Sequence, residues 1–232
     1  MNILTVSSAN EEGVAQKNTN VTYKKVETNT NKLYLFSKRL VDISGALFGI
    51  ILLSPVFLFV AIIIKMEDSN GPVFFKQIRL GKDGRKFHMY KFRSMVSNAE
   101  ELKDSLMGLN EAKGPVFKIK DDPRVTKIGK FIRKTSIDEL PQLFNVISGS
   151  MSLVGPRPPL PDEVAQYSSY ERQRLNVTPG LTCYWQISGR SNIGFDEWIE
   201  LDLRYINERN MIVDIKMILK TIFVLFGSKD AY

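Results

Sequence analysis

The sequence predicts an α/β (α+β) protein, mostly helical, in which one long apolar helix precedes a small domain carrying a β-hairpin. Three observations carry this reading. Residues 43–64, ISGALFGIILLSPVFLFVAIII, run for 22 positions without a charge. Residues 73–95 change to period two on either side of the turn residues Lys82-Asp83-Gly84, as the strands of a hairpin do. Beyond residue 138 apolar residues recur three and four apart, the helical period.

Composition narrows the function classes. A chain of 232 residues suits one domain with an appended segment. The formal net charge of +7 favours an anionic partner: nucleic acid, an anionic membrane surface or a phosphorylated substrate. One cysteine, Cys183, and one histidine, His88, leave no intrachain disulfide and no material for the usual zinc site. Chemistry is therefore expected from carboxylates, lysines, arginines and a hard metal ion.

The elements follow in chain order. Residues 1–32 are rich in Asn, Thr, Ser, Lys and Glu and hold no apolar run behind a positive front. They read as a disordered polar tail and not a secretory signal. The run at 43–64 would form a straight helix of about 33 Å, enough to cross a bilayer core; a buried helix of a soluble protein is the alternative. Ser54-Pro55 falls near its middle. Proline removes a backbone donor and kinks a helix, and the Ser54 hydroxyl is a candidate partner for a freed carbonyl. A mild kink would let the helix span; a sharp break would return it to the face it entered. Lys32, Lys38 and Arg39 before the run favour the cytoplasm, whereas hydropathy does not place residues 65 onward.

After the hairpin, Ser97-x-x-Glu100 is a capping box expected to open a helix over about 98–109. A second helix is expected at 162–175, and a strand at 182–187, TCYWQI. Asp196 is read as the N-cap of a helix ending near 209. The closing stretch MIVDIKMILKTIFVLFG mixes apolar residues with Asp214, Lys216 and Lys220. It is read as an amphipathic helix, either in the membrane interface or packed into the core.

Residues 118–161 concentrate the chemistry. Leu140, Leu143, Phe144 and Ile147 share one helical face, and Ser148-Gly149 ends that helix. Pro141 belongs in its first turn, which puts Asp138 and Glu139 at the start. Free N–H groups there would hold Asp138 ionised and could receive a phosphate. Two adjacent carboxylates could also hold a Mg²⁺ that bridges to phosphate oxygens. Arg124, Lys127, Lys130, Arg133 and Lys134 form a basic stretch upstream. Downstream, Gly155-Pro156-Arg157-Pro158-Pro159 presents one arginine on a rigid backbone, suited to phosphate. The same residues admit a structural reading. Ser136-x-x-Glu139 fits a capping box, and a Lys/Arg stretch fits a solvated face.

These strings resemble the bacterial sugar transferase family, the monotopic polyprenyl-phosphate phosphoglycosyl transferases. The resemblance covers residues 33–232 through KRLVD at 38–42, the Ser54-Pro55 run, GPVFFKQIRLGKDGRKFHMYKFRSM at 71–95, DDPRVTKIGKFIRKTSIDELPQLFNVISGSMSLVGPRPPLP at 121–161, PGLTCYWQISGRS at 179–191 and the closing GSKDAY. It implies a tail at 1–32, a re-entrant membrane helix at 33–66 broken at Ser54-Pro55, and a catalytic domain at 67–232 on the cytoplasmic face of the inner membrane. It also implies transfer of a hexose 1-phosphate from a UDP-sugar, with glucose or galactose expected, to polyprenyl phosphate. Asp138 would be the nucleophile and Glu139 the Mg²⁺ ligand with Asp138 beside it. Arg133 and Arg157 would contact phosphate, and Lys91, Arg93, Arg124 and Arg190 join them as expected substrate-binding residues. Lys38 and Asp42 would anchor the break or the lipid head, or form an ordinary i,i+4 pair. A homodimer is compatible with the family. A non-catalytic membrane scaffold is the competing reading. The long apolar segment and the lack of a nucleic-acid signature argue against a nucleic-acid partner.

Overall fold

The computed structural model describes residues 25–102, 104–111, 119–188 and 194–227. Helix α1 covers Lys32–Glu67, capped by the Asn31 side chain, which accepts from the N–H groups of Leu33 and Tyr34. It continues through Pro55 without ending there. The Ile51 carbonyl is the one that Pro55 cannot serve, and the Ser54 hydroxyl donates to it at 2.8 Å. One face of α1 docks on the domain at intervals of four, through Tyr34, Lys38, Asp42 and Ala46 in its first half and Val60 and Ile64 in its second. Leu47, Phe48, Ile51, Leu52, Leu58 and Phe59 stand exposed on the other side. Only 11% of its most apolar 18-residue window is buried, which a core helix of a soluble protein would not show. An apolar face of this size marks α1 as membrane-associating.

Strands β1 (Phe74–Leu80) and β2 (Lys86–Phe92) form an antiparallel hairpin with Gln77 opposite Met89. Its turn puts Asp83 and Gly84 at φ 56° and 73°, a left-handed pair that these two residue types tolerate. The helix expected at 98–109 is not α-helical. Turns lead into a 3₁₀ stretch at Asp104–Leu109, and the Ser97 N–H goes to Asp68. The connection to α2 (Lys127–Lys134) pairs Met95 with Val125. Thr126 caps α2 by accepting from the Gly129 N–H.

A 3₁₀ turn, Ile137–Glu139, precedes α3 (Gln142–Ser148), which stops at Gly149 with φ 84°. Strand β3 (Ser152–Val154) pairs in parallel with β4 (Gly180–Thr182). The helix expected at 162–175 splits into α4 (Pro161–Ala165) and a 3₁₀ stretch at Glu171–Asn176. At the division Ser168 and Glu171 exchange side chain–backbone hydrogen bonds, which compete with helix continuation. Of the expected strand TCYWQI, only Thr182 lies in β4, and Tyr184–Ile187 form the short helix α5. Helix α6 (Phe195–Glu208) starts after Gly194, so Asp196 sits in its first turn and not at the cap. Helix α7 (Met211–Gly227) takes both expected environments. Asp214 and Met217 are buried while Ile212, Ile215, Leu219, Ile222 and Phe223 are exposed.

The polar residues of α1 do not form the i,i+4 pair. The Lys38 ammonium donates to the Asp214 carboxylate at 3.0 Å and to the Val154 carbonyl at 2.9 Å. The Asp42 carboxylate accepts from the Ser152 hydroxyl and the Leu153 N–H. The Arg39 guanidinium donates to the carbonyls of Val146 and Ile147 at 2.6 and 2.7 Å, closing the C-terminal end of α3. Asp214 also accepts from Tyr34 and Tyr205. Asp214→Ala would leave the buried Lys38 unpaired and should cost about 3–5 kcal/mol in thermal or chemical unfolding of the detergent-solubilised chain. Lys38→Met/Asp214→Leu, which removes both charges, should recover most of that loss.

Candidate active site

The site begins at a backbone reversal. Ser136 takes φ 56°, a left-handed conformation unusual outside glycine. It turns the chain from α2 into the 3₁₀ turn that carries Asp138 and Glu139. The expected capping box does not form, because Ser136 makes no side-chain cap bond and the Glu139 carboxylate reaches elsewhere. Its Oε1 lies 2.7 Å from Lys91 Nζ and 3.5 Å from Arg157 Nη1. Asp138 is buried, with Oδ2 3.8 Å from the same Lys91 Nζ.

The two carboxylates therefore differ in surroundings. Burial pushes the Asp138 carboxyl above its ordinary range; Lys91 opposes this, Glu139 adds to it, and Arg133 and Arg157 oppose it. The expectation that Asp138 stands at the start of the helix itself is corrected. The residue lies in a 3₁₀ turn ahead of the seven-residue α3, and desolvation outweighs the nearby cations.

Each partner arrives from a different element. Alternation along β2 puts Lys91 on the face shared with Phe87 and Met89. Asn145 of α3 fastens that strand to the dyad, with its carbonyl oxygen accepting from the Tyr90 N–H and its amide donating to the His88 carbonyl. Arg157 follows β3, its guanidinium 5.9 Å from the Trp185 ring centroid. Arg133, on α2, acts on Asp138 through charge.

The other expected cations go elsewhere. Arg93 pairs with Asp68 at 3.2 Å and ties the end of α1 to the hairpin. Arg124 pairs with Asp122 at 2.7 Å and donates to the Ala99 carbonyl. Both are engaged in structural ion pairs. Arg190 lies outside the described residues. Ser54 and Pro55 are exposed on α1. Sequence reasoning missed Asn145 and Arg79. Asn145 is a polar residue beside the apolar face of α3, and burial alone reveals it. Arg79 sits two and four residues from Gln77 and Phe75 on the inner face of the hairpin, so strand alternation pointed to it. Burial and the neighbouring Arg157 push the Arg79 guanidinium down to about 10.

Among the described residues no three His, Cys, Asp or Glu side chains gather. A metal here would take Asp138 and Glu139 and complete its shell from water and substrate phosphate oxygens. That donor set fits Mg²⁺, which usually binds through one or two carboxylates with phosphates.

The site thus joins a membrane-associating helix to a domain whose carboxylate pair is ringed by lysine and arginine. Residues 33–228 match the bacterial sugar transferase family, and the chain belongs to that family. It is 51% identical over 197 residues to galactosyl transferase CpsE of Streptococcus agalactiae, covering 84% of this chain and 43% of that protein. It is 40% identical over 210 residues to a UDP-glucose:undecaprenyl-phosphate glucose-1-phosphate transferase of Klebsiella pneumoniae, covering 87% and 43%. Against the exopolysaccharide production protein ExoY of Sinorhizobium fredii it is 38% identical over 200 residues, covering 84% and 88%. The chain thus spans less than half the length of the first two relatives and most of the third.

Because Lys91 favours the ionised form of Asp138, Lys91→Ala should move the Asp138 titration midpoint to higher pH. Carboxyl ¹³C NMR of the nanodisc-embedded protein, with Asp138→Asn to identify the signal, measures this; an unmoved or lowered midpoint would contradict it.

Proposed function

We propose that this chain transfers a hexose 1-phosphate from a UDP-sugar to undecaprenyl phosphate, releasing UMP, as an initiating step of exopolysaccharide or capsule synthesis. The observation that carries this is the pairing of a buried, lightly engaged Asp138 with a Glu139 held by Lys91 and Arg157. The activities for which these relatives are named agree with a glucose or galactose donor.

In the first step an Asp138 carboxylate oxygen attacks the β-phosphorus of the UDP-sugar. The bond from that phosphorus to the bridging oxygen breaks, and UMP departs with the electron pair. In the second step a phosphate oxygen of undecaprenyl phosphate attacks the phosphosugar carried on Asp138. This gives the undecaprenyl-diphosphate sugar and restores the carboxylate. Lys91, Arg133 and Arg157 attract and orient the polyanionic substrates and offset charge as the phosphoryl group moves. Mg²⁺, held by Glu139 with Asp138, would supply charge neutralisation on the diphosphate.

The membrane arrangement that suits this chemistry is monotopic, with α1 re-entrant and the domain on the cytoplasmic face of the inner leaflet. Support comes from the docking of both halves of α1 on one domain. There a soluble nucleotide sugar and a lipid phosphate can both reach Asp138.

Asp138→Asn should reduce UMP release by about three orders of magnitude or more, as removal of a nucleophile does; near-normal turnover would remove Asp138 from that role. Topology has a separate test. Leu35→Cys and Asn70→Cys should both react with an impermeant thiol reagent on the cytoplasmic side only. The native Cys183 is buried and adds little background. Labelling on opposite sides would reject re-entry.

A further inference from the structure

The segment that presents Arg157 has an unusual backbone problem. Pro156, Pro158 and Pro159 have no N–H, so between Gly155 and Pro159 the chain can be held chiefly by its carbonyls. Four carbonyls of this stretch are so held, together with that of Val154 just before it. Those of Pro156 and Pro159 accept from the N–H groups of Gly180 and Leu80. That of Val154 accepts from Lys38 and Tyr205. The remaining two are served by buried guanidinium groups, Arg157 O by Arg174 Nη2 at 3.3 Å and Pro158 O by Arg79 Nη1 at 3.0 Å.

Arg174 is 2% exposed. It pairs with the fully buried Asp202 at 2.6 Å, donates to the Tyr167 hydroxyl at 2.8 Å and stacks 4.5 Å from the Trp198 ring centroid. A buried ion pair of this kind contributes little stability over apolar residues of the same volume, so stability does not account for it. Arg79 lies close enough to Arg157 for the two like charges to oppose each other. An anion beside Arg157 relieves that opposition.

We propose that Arg79 and Arg174 are positioning residues for Arg157, holding the carbonyls of Pro158 and Arg157 so that the Arg157 guanidinium faces Glu139 and the transferred phosphate. The proposal rests on the reading above that Arg157 acts on substrate phosphate. Neither residue touches substrate; each acts through the loop.

A double-mutant cycle on the full chain tests this, with UMP release from UDP-glucose and UDP-galactose in the presence of undecaprenyl phosphate as the readout. One arm uses Arg174→Met/Asp202→Asn, which leaves no stranded charge. The other uses Arg79→Met and the conservative Arg79→Lys, on a different element, so that a folding failure in one arm leaves the other informative. Thermal melting reports folding. With Arg157 present, each arm should lose about tenfold in kcat/KM, within the range seen for coupled neighbours. With Arg157→Ala, the further loss should shrink below about twofold. Arg79→Lys, which keeps a donor, should retain more activity than Arg79→Met. Equal losses in both backgrounds, or full activity in folded variants of both arms, would overturn the positioning role alone. Unimpaired Arg157→Ala would overturn the role of Arg157 itself, and this proposal with it.

Discussion

A helix whose outer face is apolar has nowhere in lipid to satisfy a charge, so Lys38, Arg39 and Asp42 must find partners inside the domain. Those partners organise the rest of the molecule. Arg39 serves the last carbonyls of α3, which a helix end leaves without donors. Asp42 fixes the start of β3 through Leu153 and Ser152, and Lys38 fixes its end through Val154. The α3 segment carries the dyad just ahead of its first turn, and β3 leads directly to Arg157. Two halves of one site are thereby referred to the same three residues of the membrane-associating helix.

Within the site, unequal environments separate two residues that are neighbours in sequence. Glu139 has a lysine at 2.7 Å and an arginine at 3.5 Å. Its charge is held by these two cations. Asp138 is more deeply buried, and its nearest ion-pair contact is 3.8 Å away. A desolvated carboxylate that is not locked in a close ion pair is the better nucleophile of the two, because less interaction must be broken to form the new bond. This difference in surroundings is the general sign of divided roles in a carboxylate pair.

Much of this was legible in the sequence, for reasons that differ by element. The apolar run and the hairpin are long periodic signals, and each appears where its period put it, whereas the short α3 formed with a different buried face: Gln142, Leu143, Asn145 and Val146 are buried and the expected Phe144 is exposed. The segments 98–109 and 162–175 did not form the helices expected. Their weak periodicity was overruled by local contacts: Ser97 serving Asp68, and Ser168 exchanging bonds with Glu171. Strand TCYWQI failed because β4 needs only Gly180–Thr182 to pair with β3. At the site, proximity in sequence was readable and proximity in space was not. Lys91 meets the dyad across 48 residues. Arg93 and Arg124 look equivalent to it in sequence and are consumed by Asp68 and Asp122. Whether a cation is free for substrate depends on which carboxylate the fold brings beside it, and single-chain spacing does not encode that.

The Val154 carbonyl joins the two themes. It accepts from Lys38 of α1 and from Tyr205 of α6, and both donors also bind Asp214 of α7. A displacement of α1 along its axis would have to break the Lys38 contacts, release a charge buried among Tyr34, Tyr205 and Asp214, and loosen the residue that begins the Arg157 loop. Each of these costs free energy in a medium that cannot resolvate the lysine. Seating of the helix and presentation of the arginine are therefore one structural state. The proline-rich loop takes its position from buried donors on β1, on the 3₁₀ stretch before β4, on α1 and on α6. Its rigidity comes from that convergence as much as from its prolines, since proline fixes φ but leaves the loop's placement on the domain undetermined.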